Sequence, residues 1–150
     1  MNIKTDFPAW ALALCLTSTA ALADESVIGY IKSVQGDATV MTTGHNLKAE
    51  PGTPVKTSDV LKTGKGASLG ITLRDNTLLS IGPNTEFVVD EYVFNPAKDE
   101  LKLGASLGKG SLNYVSGLIA KLKPSAVSVR TPTGTIGVRG THFVALVVPE

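Results

Sequence analysis

Apolar and polar residues alternate in short runs along most of the chain. Residues 69–73 place Leu69, Ile71 and Leu73 on one face and Gly70 and Thr72 on the other. That period of two predicts a half-buried β-strand. Residues 27–34 open in the same way and stop at Gly36-Asp37, and residues 38–41 follow. Residues 86–94 put Phe87, Val89 and Val93 on one side. Residues 77–81, 101–107, 111–115, 127–130, 135–138 and 142–148 complete the set. Between the runs stand turn residues, among them Gly36, Gly52 and Gly82-Pro83-Asn84. Arg74-Asp75-Asn76-Thr77 predicts a hairpin turn, since Asp75 and Asn76 tolerate positive φ. About ten short strands at intervals of roughly 8–12 residues predict one all-β domain, a sandwich or a solenoid-like roll. Residues 116–123 depart from the pattern. Leu118 and Leu122 stand at i, i+4 before Pro124, but Gly117 weakens a helix, so a short helix and a loop fit equally.

Composition supports the strand reading. Beyond residue 23, 34 of 127 residues are Val, Thr or Ile, and all 15 glycines and seven of the eight prolines lie there. Frequent breakers between β-branched runs are the mark of many short strands. The formal net charge is +1, which excludes a polybasic nucleic-acid or membrane binder. Six aromatic residues beyond position 23, not interleaved with Lys or Arg, exclude a stacking platform for single strands.

Residues 1–23 have the layout of a secretory signal peptide. Residues 10–22 carry no charge, and Ala21-Leu22-Ala23 is a small-x-small cleavage signature followed by Asp24 and Glu25. The apolar stretch falls short of the ~20 residues that span a bilayer. The expectation is cleavage after Ala23, no transmembrane span, and a domain over residues 24–150 in the periplasm or outside the cell. The sole cysteine, Cys15, follows Leu14 rather than the small residue of a lipidation site, and leaves with the signal. The remaining chain then has no disulfide, no thiol nucleophile and no thiolate metal site.

Several short patterns imitate catalytic motifs. Gly-Ala-Ser-Leu-Gly occurs at 66–70 and 104–108 and matches the nucleophile elbow of hydrolases. That elbow needs strand, sharp turn and helix. Ser68 leads into a strand pattern, and Ser106 precedes Gly108 and Gly110. Gly104 to Lys109 is one residue short of a phosphate loop, and His45 and His142 have no metal-ligand spacing. We therefore expect no catalytic residues, no metal site and no cofactor.

The run 127–143 is the most distinctive. Gly134, Gly137 and Gly140 recur every third position among four threonines, with Arg130 and Arg139 in the same run. Glycines so dense imply tight turns or close chain approach. Arg139 sits among Ile136, Val138 and Phe143. It is either buried against a carboxylate or exposed as an anion clamp. Burial is the favoured expectation, with Asp59 or Asp75 as partner, because buried charges must be paired.

Here the chain resembles the FecR-like domain family. The match rests on Thr131-Pro132 followed by Gly137-Val138-Arg139-Gly140-Thr141-x-Phe143. Upstream, residues 29–40 with Gly36 resemble the family's opening pattern, and Pro51-Gly52 with Ser58-Asp59-Val60-Leu61-x-Thr63 is similar to the family pattern that follows it. Asp75-Asn76-Thr77 stands where Asp-Gly-Ser is commoner. The resemblance implies an all-β envelope domain that acts by binding. Its best-known members relay receptor occupancy to a sigma factor through a cytoplasmic segment and a spanning helix. Neither is expected here, so that role is not carried over. The implied function is a non-enzymatic module that binds an envelope protein through a strand edge or a glycine-rich turn. The alternatives are a self-assembling, adhesin-like envelope component and a small-molecule binding domain.

Overall fold

A computed structural model describes residues 27–140 and 142–149. The expected signal segment and Thr141 lie outside these. Twelve strands form: β1 (Val27–Gln35), β2 (Ala38–Thr42), β3 (His45–Lys48), β4 (Pro54–Lys56), β5 (Val60–Thr63), β6 (Ser68–Leu73), β7 (Leu78–Ile81), β8 (Glu86–Asn95), β9 (Glu100–Val115), β10 (Val127–Thr131), β11 (Gly134–Gly137) and β12 (His142–Val147). One short helix, α1 (Leu118–Leu122), lies between β9 and β10. The fold is all-β, as the alternation predicts. Residues 101–107 and 111–115 prove to be one strand, and β3, β4 and β5 are additional. These last are only three or four residues long.

The strands form one curled sheet in the order β3-β2-β5-β8-β9-β7-β6-β1-β4. β9 is its spine. Residues 100–109 of β9 pair with β8, while residues 112–115 pair with β7. The 16-residue strand thus belongs to both halves. Its other flank carries β10, which is parallel to residues 103–106, and β12, antiparallel to residues 110–115. β11 pairs with β10. All pairings are antiparallel except β9 with β10.

The two halves curl over one core. Ile28, Ile31, Leu69, Ile71 and Leu73 from one half meet Val40, Leu61, Phe87, Val89 and Leu103 from the other in a single buried cluster. The strand β6 reads out its sequence directly, with Leu69, Ile71 and Leu73 buried. β8 does not. Its pairing with β9 shifts register between Val89 and Glu91. A bulge adds one residue and exchanges the faces beyond it. Tyr92 therefore points inward, and Val93, expected beside Phe87 and Val89, is 41% exposed.

Two glycines allow close chain approaches. Gly110, within β9, has φ +91°, and a Cβ there would meet the Thr85 Cα at 2.5 Å. Only glycine permits both that backbone and that approach. Gly117 stands before α1, where a Cβ would overlap the backbone of residues 75–77. The glycine that weakens a helix in sequence is what lets α1 dock on the β6–β7 turn.

Candidate functional site

The run 127–143 forms β10, β11 and the entry to β12. Thr131 Oγ1 donates to the Gly134 carbonyl at 3.0 Å and lies 3.3 Å from Thr133 Oγ1, closing the turn with Pro132 exposed at its tip. Gly137 ends β11, and Val138 turns into the core at 5% exposure. Arg139 faces outward instead. It is exposed, and among the described residues it makes no ion pair. The expectation of a buried Arg139 held by Asp59 or Asp75 is therefore overturned. The inward position is taken by Val138, and consecutive residues of an extended chain face opposite ways. Arg139 instead lines an open cleft of about 740 Å³ with Pro124, Ser125, Val127 and Ser128. The arginine that does find a carboxylate is Arg130, 3.2 Å from Asp90.

Both aspartates serve the backbone. Asp59 is 4% exposed, and its Oδ2 accepts from the Lys56 amide at 2.8 Å. Asp75 is fully buried. Its Oδ1 accepts from the Tyr92 hydroxyl at 3.0 Å and the Thr77 amide at 3.3 Å. Its Oδ2 accepts from the Thr77 hydroxyl at 2.7 Å and the Ile119 amide at 3.2 Å. The Asp75 carbonyl also accepts from the Leu118 amide at 2.7 Å. One carboxylate so joins the β6–β7 turn, β8 and α1. Asn76 takes the left-handed position at φ 65°, as its identity predicts.

Burial and the adjacent Asp75 carboxylate hold the Tyr92 hydroxyl well above the usual tyrosine pKa, with Arg74, 5.6 Å over the ring, opposing weakly. Tyr114 is raised too, by burial first, with the neighbouring Thr77 hydroxyl opposing. Its hydroxyl makes no well-aligned hydrogen bond. The Tyr114 ring stacks on Phe143, with centroids 4.9 Å apart and planes at 20°. Ser116 Oγ donates to the Gly140 carbonyl at 2.8 Å. The terminal motif thereby meets the strands around the Asp75 turn. Thr63 belongs to another belt, donating to the Gly82 carbonyl at 2.6 Å and accepting from the Thr85 amide at 2.9 Å. Gly36 and Gly52 occupy turns with φ of +69° and +91°.

Ser68 and Ser106 both lie within strands, and Ser106 hydrogen-bonds Asp90. His142 contacts Asn113. Among the described residues no three His, Cys, Asp or Glu side chains gather as a metal site. No described helix is long and apolar enough to cross a membrane.

The sheet's free edges are the other chemical feature. Among the described residues β3, β4, β11 and β12 each pair on one side only. An open strand edge offers unpaired amides and carbonyls, and proteins usually blunt it with charge, proline, bulges or shortness. β3 is four residues long and ends in Lys48; β4 is three residues long and runs from Pro54 to Lys56. β11 is four residues with glycine at both ends. β12 has none of these devices. It is six residues long, pairs without a register shift and carries no acidic or basic group but His142. Val144, Leu146 and Val148 stand out from it at 66%, 70% and 71% exposure, while Phe143, Ala145 and Val147 face the core. Beside it opens a groove of about 510 Å³, lined by Thr131, Thr133, Ile136, Ala145 and Val147 among others. Sequence reading did not single out this stripe, although the 144/146/148 spacing was its signal.

The family model described as FecR protein matches residues 59–148. The chain belongs to the FecR family. The FecR match takes in Asp59, Thr63, Asp75, Asn76 and the whole run 131–143, and leaves Gly36 and Gly52 outside. It also spans β12 and the helix that docks on Asp75. No curated protein and no solved structure matches the chain.

Proposed function

We propose that this FecR domain is a non-enzymatic binding module of the cell envelope, and that it takes up an extended segment of a partner protein along β12. The carrying observation is the contrast among the four edges, of which β12 alone is long, regular and uncharged over residues 143–148. An added strand would gain main-chain hydrogen bonds along this edge and apolar contact with Val144, Leu146 and Val148. The signal-like residues 1–23 and the envelope association of the family support a periplasmic or exported location. The family's part in signalling supports a protein as the ligand.

The test is crosslinking of the tagged protein in the periplasm of its native host, followed by mass spectrometry. We expect one dominant envelope protein. Val144→Lys combined with Leu146→Lys should abolish its capture and leave the melting temperature within ~2 °C, because surface changes away from special features cost little. Capture that survives both lysines, in a folded variant, would overturn the edge reading.

A further inference from the structure

We infer that the edge of β12 also pairs with β12 of a second copy, closing the sheet across a two-fold axis. This rests on the reading of β12 as a binding edge and adds a specific occupant to it.

What the edge demands of a neighbour follows from its two sides. An incoming strand lies beside Val144 and Leu146 on the outer face and beside Phe143 and Val147 on the inner face. The adjoining groove adds Thr135 and Ile136. No side chain from residues 131–138 or 142–149 carries a permanent charge. The neighbour must therefore be apolar on both faces and uncharged, since a charged side chain there would lose water without gaining a partner. Residues 143–148 of this chain, Phe-Val-Ala-Leu-Val-Val, meet that description, and no described strand other than β12 holds five apolar residues in succession.

Symmetry adds a second argument. At a two-fold interface each group faces a counterpart from an identical surface, so a charged edge repels itself. β12 brings no like charges together. Antiparallel pairing centred on Ala145 sets Val144 opposite Leu146 of the second copy, and Phe143 opposite Val147. Opposed residues of an antiparallel pair share a face, so outer apolar residues meet outer and inner meet inner. The outer face of the neighbouring strands would not obstruct the join. Ser111 and Asn113 of β9 and Ser80 of β7 flank the stripe, all small or uncharged.

Size sets the strength. Six residues extend about 20 Å, too short to bury the ~800 Å² per partner of a standard stable complex. The dimer is therefore weak and concentration-dependent, and a partner strand with more contacts displaces it.

The experiment is sedimentation of the purified protein from micromolar to millimolar concentration, together with cysteine crosslinking. The average mass should rise from monomer toward dimer, and Val144→Lys with Leu146→Lys should weaken association by about tenfold or more, since like charges would then face each other across the axis. Val144→Cys with Leu146→Cys should give a disulfide-linked dimer under mild oxidation, and Leu146→Cys alone much less. A protein that stays monomeric at millimolar concentration overturns the dimer. If β12-dependent capture of an envelope protein is nonetheless seen, the edge reading stands without it. A dimer that persists with both lysines places the contact elsewhere and also overturns the proposal.

Discussion

Arg139 is exposed beside a buried Val138, and its neighbours in sequence misrepresent its surroundings. Three apolar residues within four positions suggest burial, yet alternation turns Val138 in and Arg139 out. Because no described carboxylate holds it, Arg139→Ala should leave the melting temperature within ~2 °C, the range of ordinary surface changes. A fall of ten degrees in thermal unfolding would restore the buried-pair view. Tyr92 behaves in the opposite way. Its neutral hydroxyl is the form that fits against Asp75, so its folded pKa lies above the ordinary 10.0. A group raised on folding contributes stability that is complete below the unfolded pKa and is lost as pH rises through the folded one. Urea unfolding should thus give constant stability from this group up to about pH 9 and a loss above about pH 10. Tyr92→Phe, weaker at neutral pH for want of its hydrogen bonds, should show a shallower alkaline decline. An identical decline in both proteins would assign the effect to other groups.

Among the elements, β9 carries the most structural consequence, and one residue within it, Gly110, has a positive φ. Gly110 and Gly52 share φ +91°, but only at Gly110 would a Cβ meet other atoms, the Thr85 backbone among them. The pair separates backbone strain from overlap. Gly52→Ala should cost ~1–3 kcal/mol, the strain of that conformation alone. Gly110→Ala should cost ~2 kcal/mol more, from overpacking, measured by chemical denaturation of both variants. Equal losses would mean that β9 shifts freely past Thr85. Much of the element pattern was legible beforehand. β6 and the Asp75-Asn76 turn follow from alternation and from side chains that accept positive φ. Alternation alone puts Val93 on the wrong face, because a bulge does not interrupt hydrophobicity, and Gly108 and Gly110 divide β9 in sequence because they resemble a turn. α1 stayed undecided because Gly117 opposes a helix locally, while its reason, contact with residues 75–77, lies about 40 positions away in the chain.

Across the described residues, the sheet leaves β12 open on the flank where the terminal motif also lies. Residues 127–143 thus run along the flank of β9 and lead directly into the edge proposed to take up a partner. The motif's glycines and Val138 shape that run, and Phe143, stacked on Tyr114, anchors the start of β12. By itself the sequence determined the all-β class, the turn at residues 74–77, the inward face of β6 and the family resemblance. Each depends on local periodicity, on the conformational range of single residues or on a contiguous motif. The packing of distant segments added that Asp75 gathers Tyr92, Thr77 and α1, and that among the described residues Arg139 makes no ion pair and β12 is the unprotected edge. Those outcomes depend on which distant segments supply hydrogen-bond partners, and a free edge is defined by the neighbour a strand does not have.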